Sequence, residues 1–373
     1  MSGERFKKVG KGSFFDSLVY EEVVPRDHFL VRLNELIRWD ALQPLFLAAY
    51  RGRARQGKPP YDPIVILKVL VLSILYNLSE RQTAEWVRYY LPAKEFVGLG
   101  ANEKGPDHTT LSLFKRRMLQ AGVWGAFEAA CAEILRQARE AGIELGQVQV
   151  VDSVHTEADV DRDADRQRQK EGKPPRDKDA QLVYKGRRRQ TQADGSVVSK
   201  PAQYLGYKTH VSLNAETGLI TSLVPTAGSA ADNKQFAALL ARDEAQGVGA
   251  TVYTGDQAYD DTAIHYLLRQ TGKGSALRLH AYRTQKKDAH KEPWLRIQAS
   301  PAYAQGLAER YKIERKFGEA KRWHGFGRCR YLGLLRYGIQ AFLTVLALNL
   351  KRIVYLLTGT PFRAPKRRGA VAV

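Results

Sequence analysis

Three carboxylates stand out by their position and surroundings. Asp152 closes the apolar run Val148–Ser153 (VQVVDS), and Asp256 follows the run Ala250–Thr254 inside YTGDQAYDD. An acid beside an apolar strand is costly to bury unless it is paired or binds a metal. In an α/β sheet, polar residues at the C-terminal strand ends face the ligand crevice. Taken singly, each aspartate also fits a helix cap or a loop acid. Glu319 lies within AERYKIERKFGEAKRWHGFGR, with Arg315 and Lys312 before it and Arg322 and Trp323 after it at helical spacing. On its own this stripe also reads as a surface ion-pair network. Taken together, two strand-end aspartates and one helical glutamate can converge on two Mg²⁺ ions, or Mn²⁺ in their place, held ~3.5–4 Å apart. Such a pair activates water and stabilises the leaving oxygen of a phosphodiester. Arg315, Lys312 and Arg322 would then grip the flanking phosphates.

The elements that must position these residues fall into two halves. Residues 1–35 read as a basic, loosely ordered entry. From about Asp40 to Gly142 the apolar period is helical. Asp62-Pro63 opens a buried helix through Leu78, and Ser79-x-x-Gln82 forms a capping box for the next, ending near Leu91. Asp107 caps a third helix with Leu111 and Phe114 on one face and Lys115, Arg116 and Arg117 in its second half. This third helix has two readings. It is either the reading helix of a helix-turn-helix with Lys115–Arg117 on phosphate, or a capped surface helix whose basic end answers its own dipole. Phe127, Cys131, Ile134 and Ala138 mark a fourth helix that stops at Gly142.

Beyond Gly142 the period changes. The strand Val148–Ser153 is followed by residues 161–181, which hold no large apolar side chain and read as a solvated loop or disordered insert. Tyr207–Leu213 and Leu219–Val224 form a hairpin around residues 214–218. Then come a helix (Asp232–Gln246), a strand (Ala250–Thr254), a helix (Asp261–Gln270), a strand (Ala276–His280), a polar Trp-containing insert (281–300), a helix (Pro301–Trp323) and a last apolar helix (Leu334–Leu357). The order implies an α/β fold with a mixed sheet covered on both faces. No internal repeat is visible. The implied boundaries are 36–142 for the helical domain and 146–358 for the α/β domain, with polar inserts at 156–202 and 281–300 and a flexible basic tail at 359–373.

Composition narrows the function. The 373 residues carry 59 Lys+Arg against 39 Asp+Glu, a net charge of +20, which points to a polyanionic partner. Cys131 and Cys329 are far apart with no CxxC, which excludes a disulfide scaffold and a Cys-rich zinc site. The N-terminus lacks a secretory apolar run, and Pro63–Leu78 and Gly338–Leu350 fall short of a bilayer span, so no membrane role and a cytoplasmic setting are expected. Asp159-x-Asp161-x-Asp163 starts like an EF-hand, but Ala164 and Lys170 stand where Gly and Glu are required. Gly272-Lys273 lacks the P-loop spacing, so no nucleotide cofactor is expected, and neither HExxH nor GxSxG occurs. The eight His show no ligand spacing; His155 and His210 read as structural.

The segments VVDSVHTEA, GYKTHVSLNAETGLI, YTGDQAYDD and ERKFGEAKRWHGFGRCRY, followed by a long apolar helix ending LALNLKRI, resemble the bacterial DDE insertion-sequence transposases, most closely the insertion-sequence-five group. SERQTAEWVR and PDHTTLSLFKRR resemble that family's N-terminal domain. The resemblance runs from about Phe14 to Arg352, with spacings of 104 and 63 residues between the three acids. It implies a ribonuclease H-like core with helices on both faces of a mixed sheet, Asp152, Asp256 and Glu319 as ligands of two Mg²⁺ ions, and an N-terminal helical DNA-binding domain. It also implies double-stranded DNA partners (the transposon ends and target DNA), a homodimer, cleavage at the ends, joining of 3′-hydroxyls to target DNA, and nucleoid association when bound. The related insertion-sequence-four group carries a Tyr-x2-Arg-x3-Glu-x6-Lys signature. Arg315 and Glu319 fit it, while Tyr311 stands one residue too early and Phe326 replaces the Lys. Trp294 and Trp323 either stack on a flipped base or pack, and packing is expected. The competing reading is a decayed or domesticated DNA-binding protein without catalysis, and a third is a nuclease of the same fold that cuts but does not join.

Overall fold

A computed structural model describes residues 6–10, 14–50, 59–120, 122, 124–191, 195–285 and 290–362. The chain divides into two units, Met1–Ile143 with Leu343–Val373, and Glu144–Phe342. The last stretch of the apolar C-terminal helix therefore groups with the first unit rather than with the α/β domain to which 146–358 assigns it.

The first unit holds α1 (Phe14–Val23), α2 (Phe29–Leu36), α3 (Gln43–Phe46), α4 (Pro63–Leu75), α5 (Glu80–Tyr89), α6 (Leu91–Val97), α7 (His108–Gln120) and α8 (Trp124–Glu140). The expected caps form. Asp62 accepts from the Ile64 N–H at 2.7 Å with Pro63 in the first turn, and Ser79 and Gln82 exchange both capping-box bonds. Every residue of α4 is buried, which makes it the centre of the unit. Its one charged side chain, Lys68, donates to Asn34 Oδ1 at 2.7 Å and lies over the Trp39 and Phe96 rings, while burial pulls its pKa down to about 8.

The loosely ordered entry expected at 1–35 is corrected over its described part. Tyr20, Val24 and Val31 form a buried cluster, Leu30 and Leu33 are fully buried, and the Tyr20 hydroxyl donates to the Leu99 carbonyl at 2.7 Å. The charges that suggested solvation (Glu21, Glu22, Arg26, Asp27) face outward. Residues 1–5 and 11–13, and the 363–373 part of the expected flexible tail, lie outside the described residues.

The second unit runs β1 (Val148–Glu157), α9 (Arg162–Lys170), β2 (Gln181–Thr191), β3 (Val197–Asn214), β4 (Ile220–Ala227), α10 (Phe236–Ala245), β5 (Val252–Gly255), α11 (Thr262–Gln270), β6 (Gly274–Leu277), α12 (Glu292–Ala299), α13 (Pro301–Glu309), α14 (Tyr311–His324) and the first part of α15 (Leu334–Thr358), whose residues from Leu343 on group with the first unit. The central order is β3-β1-β5-β6. β3 is antiparallel to β1, β2 and β4, whereas β1, β5 and β6 are parallel. An antiparallel meander feeding two parallel strands, with helices on both faces, is the ribonuclease H-like arrangement. Val151, Tyr253 and Leu277 pack with α10 and α11 on one face. On the other face α13 sits so close that a Cβ on Gly306 would lie 2.3 Å from that of Ala276.

Four expectations change here. The polar 156–202 insert is not a loop: Asp161 caps α9 by accepting from the Asp163 and Ala164 N–H groups, and β2 pairs with the first half of β3. These strands carry no apolar alternation because most of the ribbon is exposed, so backbone ladders rather than a buried face hold them. The 281–300 insert contains α12, and Trp294 packs under the Arg283 guanidinium (4.1 Å) and against His265, both of which bind Asp260. The single helix expected over Pro301–Trp323 is divided at Arg310 into α13 and α14. Finally, α15 has 25 residues, more than the apolar stretch Gly338–Leu350 implies; it is long enough to span a bilayer, yet 67% of its most apolar window is buried inside the protein.

Gly206 sits where three strands meet, opposite Glu157 on β1 and Gln181 on β2. A Cβ there would lie 2.2 Å from the Thr156 carbonyl oxygen and 2.8 Å from the Ala158 nitrogen, both backbone atoms that cannot swing aside. Gly206→Ala is therefore expected to cost about 2 kcal/mol or more, read as a lower denaturant midpoint; an unchanged midpoint would show that the junction relaxes freely.

Candidate active site

Asp152 lies in the middle of β1 rather than at its end, because the strand continues to Glu157. The parallel pairing of β1 with β5 runs Val148↔Val252, Gln149↔Tyr253 and Val150↔Thr254. Each pair differs by the 104 residues that separate Asp152 from Asp256. Continued by one further pleat, this register would lead to Asp152 and Asp256, and the charge of Asp256 does act on Asp152. β5 stops at Gly255, and Asp256 turns the chain by accepting from the Ala258 N–H at 2.9 Å.

The electrostatics agree with this placement. Burial pushes the Asp152 carboxyl up to about 7, and the charges of Asp256 and Asp232 push the same way. The Ser153 N–H, donating at 2.7 Å, and the Arg310 charge pull it back in part. Asp232 is a third acid of the neighbourhood and has no strand signal in the sequence. Burial opposes its ionisation, but His210 and Lys208 (2.9 Å to its carboxylate) hold it well below the usual range. Burial in turn lowers His210 against the pull of Asp232. His210 is fully buried and its ring lies against Asp232. The buried Tyr259 hydroxyl has no hydrogen-bond partner among the described residues, and burial together with Asp232, Asp152 and Asp256 raises it far above the ordinary tyrosine value.

Neither Glu314 nor Glu319 of α14 forms a three-ligand group with the two aspartates among the described residues. Among the described residues, no three Asp, Glu, His or Cys side chains converge closely enough to hold a metal ion. The two glutamates stand on different sides of α14, Glu314 58% and Glu319 29% exposed. α14 buries Ile313, Ala320 and His324. At about 100° per residue, Glu314 stands about 40° around from Arg310, whereas Glu319 stands about 180° away. Arg310, whose charge acts on Asp152, binds Glu314 at 2.8 Å, while Glu319 is paired with Lys316 at 3.1 Å. A sequence signal for Glu314 exists. Anchored on Arg310, the signature reads Arg310-x3-Glu314-x6-Lys321 with Leu307 in place of Tyr, three matches against two for the frame on Arg315.

The expected phosphate ligands are unequal. Arg315 and Arg322 are exposed on the outer side of α14, and the Arg315 guanidinium lies over the Tyr311 ring at 5.9 Å. Lys312 is paired with Glu309. Trp323 is 59% exposed, so the packing expected of it is not found. In the first unit Lys115 is buried and paired with Glu80, Arg116 is exposed, and Arg117 lies 5.7 Å over the Tyr50 ring. Arg117 borders a cleft of about 830 Å³ together with Arg81, Arg88, Lys104, Tyr61 and Tyr89.

Residues 147–350, more than half of the chain, match the model of the Transposase DDE domain family, and residues 18–117 match that of the Transposase domain (DUF772) family. The chain belongs to the DDE transposases. It is a DDE-type insertion-sequence transposase, an enzyme of a family that acts on DNA and generally uses divalent metals. Asp152 and Asp256 suit such an ion: both are hard oxygen donors, one of them poorly hydrated and pressed by like charge.

A carboxyl whose pKa is raised on folding destabilises the fold once it ionises. This penalty is absent below pH ~4, grows up to about 7 and is complete above it. In metal-free buffer, Asp152→Asn is therefore expected to raise Tm by several degrees at pH 8 and to leave it unchanged near pH 4. Equal Tm values for the two proteins at both pH values would contradict this placement of Asp152.

Proposed function

We propose that this transposase binds the terminal inverted repeats of its own element, cleaves DNA at the element ends and joins the released 3′-hydroxyls to target DNA. The observation that supports the reading is the β1–β5 register leading toward Asp152 and Asp256, where the Asp256 charge acts on a poorly hydrated Asp152 in a strongly basic chain. Asp152 and Asp256 hold the divalent cations, and a glutamate on α14 completes the set. The bond to Arg310 favours Glu314 over Glu319 for that place. When bound, two Mg²⁺ ions supply Lewis acidity that lowers the pKa of water and neutralises charge on the phosphodiester. Arg315 and Arg322, exposed on α14, contact the phosphate backbone of the bound DNA. In the helical unit, Arg116 and Arg117 contact the end DNA, while Lys115 is held by Glu80 and positions α7. Two ends must be brought together, which a homodimer does.

Cleavage of an end-containing duplex in Mg²⁺ tests this. Asp152→Asn, Asp256→Asn and Glu314→Gln are each expected to lower the rate by about 10³-fold or more with end binding retained, and Glu319→Gln by less than about 10-fold. A dead Glu319→Gln beside an active Glu314→Gln would return the third place to Glu319. A wild-type chain that binds ends but cuts nothing would support the DNA-binding-only reading.

A further inference from the structure

We propose that the ribbon formed by β2 and the first half of β3 is a docking arm for double-stranded DNA, about one helical turn away from the acid pair. The inference rests on the DNA-transposase reading and adds to it a surface outside both the carboxylate site and the helical unit.

Charge is the first observation. Residues 181–206 carry five bases (Lys185, Arg187, Arg188, Arg189 and Lys200) against one acid, Asp194. The neighbouring 159–179 segment holds seven acids and seven bases, so the positive charge is concentrated on the ribbon. Exposure is the second. Tyr184 is 65% and Val197 60% exposed, Arg187 and Arg189 face solvent, and among the described residues β2 pairs with β3 alone. The Arg187 guanidinium lies across the ribbon on Ser199, with no carboxylate near it in the strands. Shape is the third. A two-stranded antiparallel ribbon fits the DNA major groove, and the register shift between Tyr184 and Arg187 adds the twist that following a groove requires.

Bare strand edges also attract a second copy of the same chain. Here that copy would bring the same five bases against the single acid Asp194, so like charge opposes self-pairing, whereas a phosphate backbone complements it. The distance follows from the register. Asp152 pairs with Val211 and Arg189 with Ser199, twelve residues apart on β3. At about 3.4 Å per residue this is about 40 Å of strand, close to the ~34–36 Å of one DNA turn.

The full-length chain serves for the test. Binding of a 40-base-pair duplex is followed against salt for wild type, for Arg187→Ala/Arg188→Ala/Arg189→Ala, and for the control Arg166→Ala/Lys170→Ala/Lys173→Ala, which removes equal charge from exposed residues of α9 and the turn after it. The ribbon variant is expected to bind about 30-fold or more weakly, with a salt slope shallower by about 2–3, while the control changes less than about threefold. Footprints of wild type are expected to lose protection in the ribbon variant about 10–12 base pairs from the cut. Unchanged affinity and slope, or equal losses in variant and control, would overturn the docking arm while leaving the transposase reading intact. So would a ribbon variant that binds DNA normally but sediments as a monomer where wild type is a dimer, since the occupant is then a second copy. A wild-type chain that binds no duplex would remove the underlying reading and the arm with it. The single Arg189→Ala variant repeats the comparison if the triple variant loses its Tm.

Discussion

The parallel register between β1 and β5 is the constraint on which the site depends. Strands pair with a side-chain period of two, so a slip by one residue would send Asp152 and Asp256 to opposite faces of the sheet. The observed offset leads instead toward two acids that feel each other's charge, one of them with its pKa pushed up to about 7. Such a pair is unfavourable unless something neutralises it. The surrounding apolar layers, with Val151, Tyr253 and Tyr259 packed against α10 and α11, hold the pair in place. The stability of the sheet thus maintains a locally unfavourable arrangement, as expected of a site built to meet a cation and a phosphate.

The distribution of charge supports the same conclusion. The chain carries a net charge of +20 beside this small acidic centre. The positive side chains are not equivalent, however. Lys115, Lys208 and Lys312 answer acids of the protein itself, whereas Arg116, Arg315 and Arg322 lie exposed. Spacing along a helix does not separate these two groups; the partner on the neighbouring element does. Lys68 makes the same point in the opposite sense, as a cation held within an apolar helix by one amide and two aromatic rings.

What could be read from the sequence follows physical lines. Elements that announce themselves through caps or buried apolar runs were legible: the Asp62-Pro63 start, the Ser79–Gln82 box, the Asp107 cap and the strands around Asp152 and Asp256. The β2–β3 ribbon was not, because strands exposed over most of their length carry no alternation, and α9 was hidden by a composition that suits loops equally well. The entry helices were hidden by the charges on their outer faces. Among the candidate site residues, Asp152 and Asp256 were legible because strand order and spacing both constrain them. On α14, acids at 314 and 319 stand on different sides of one helix. Choosing between them requires knowing which side faces the sheet, and that is a tertiary fact.

The facing of the two aspartates is tested most directly by a double-mutant cycle on unfolding in metal-free buffer at pH 8, with Asp152→Asn, Asp256→Asn and the combined variant. Carboxylates that repel each other predict that the combined variant gains less stability than the sum of the singles, by about 1 kcal/mol or more. Additive effects within about 0.3 kcal/mol would mean that the two charges do not meet, and the site built on them would have to be abandoned.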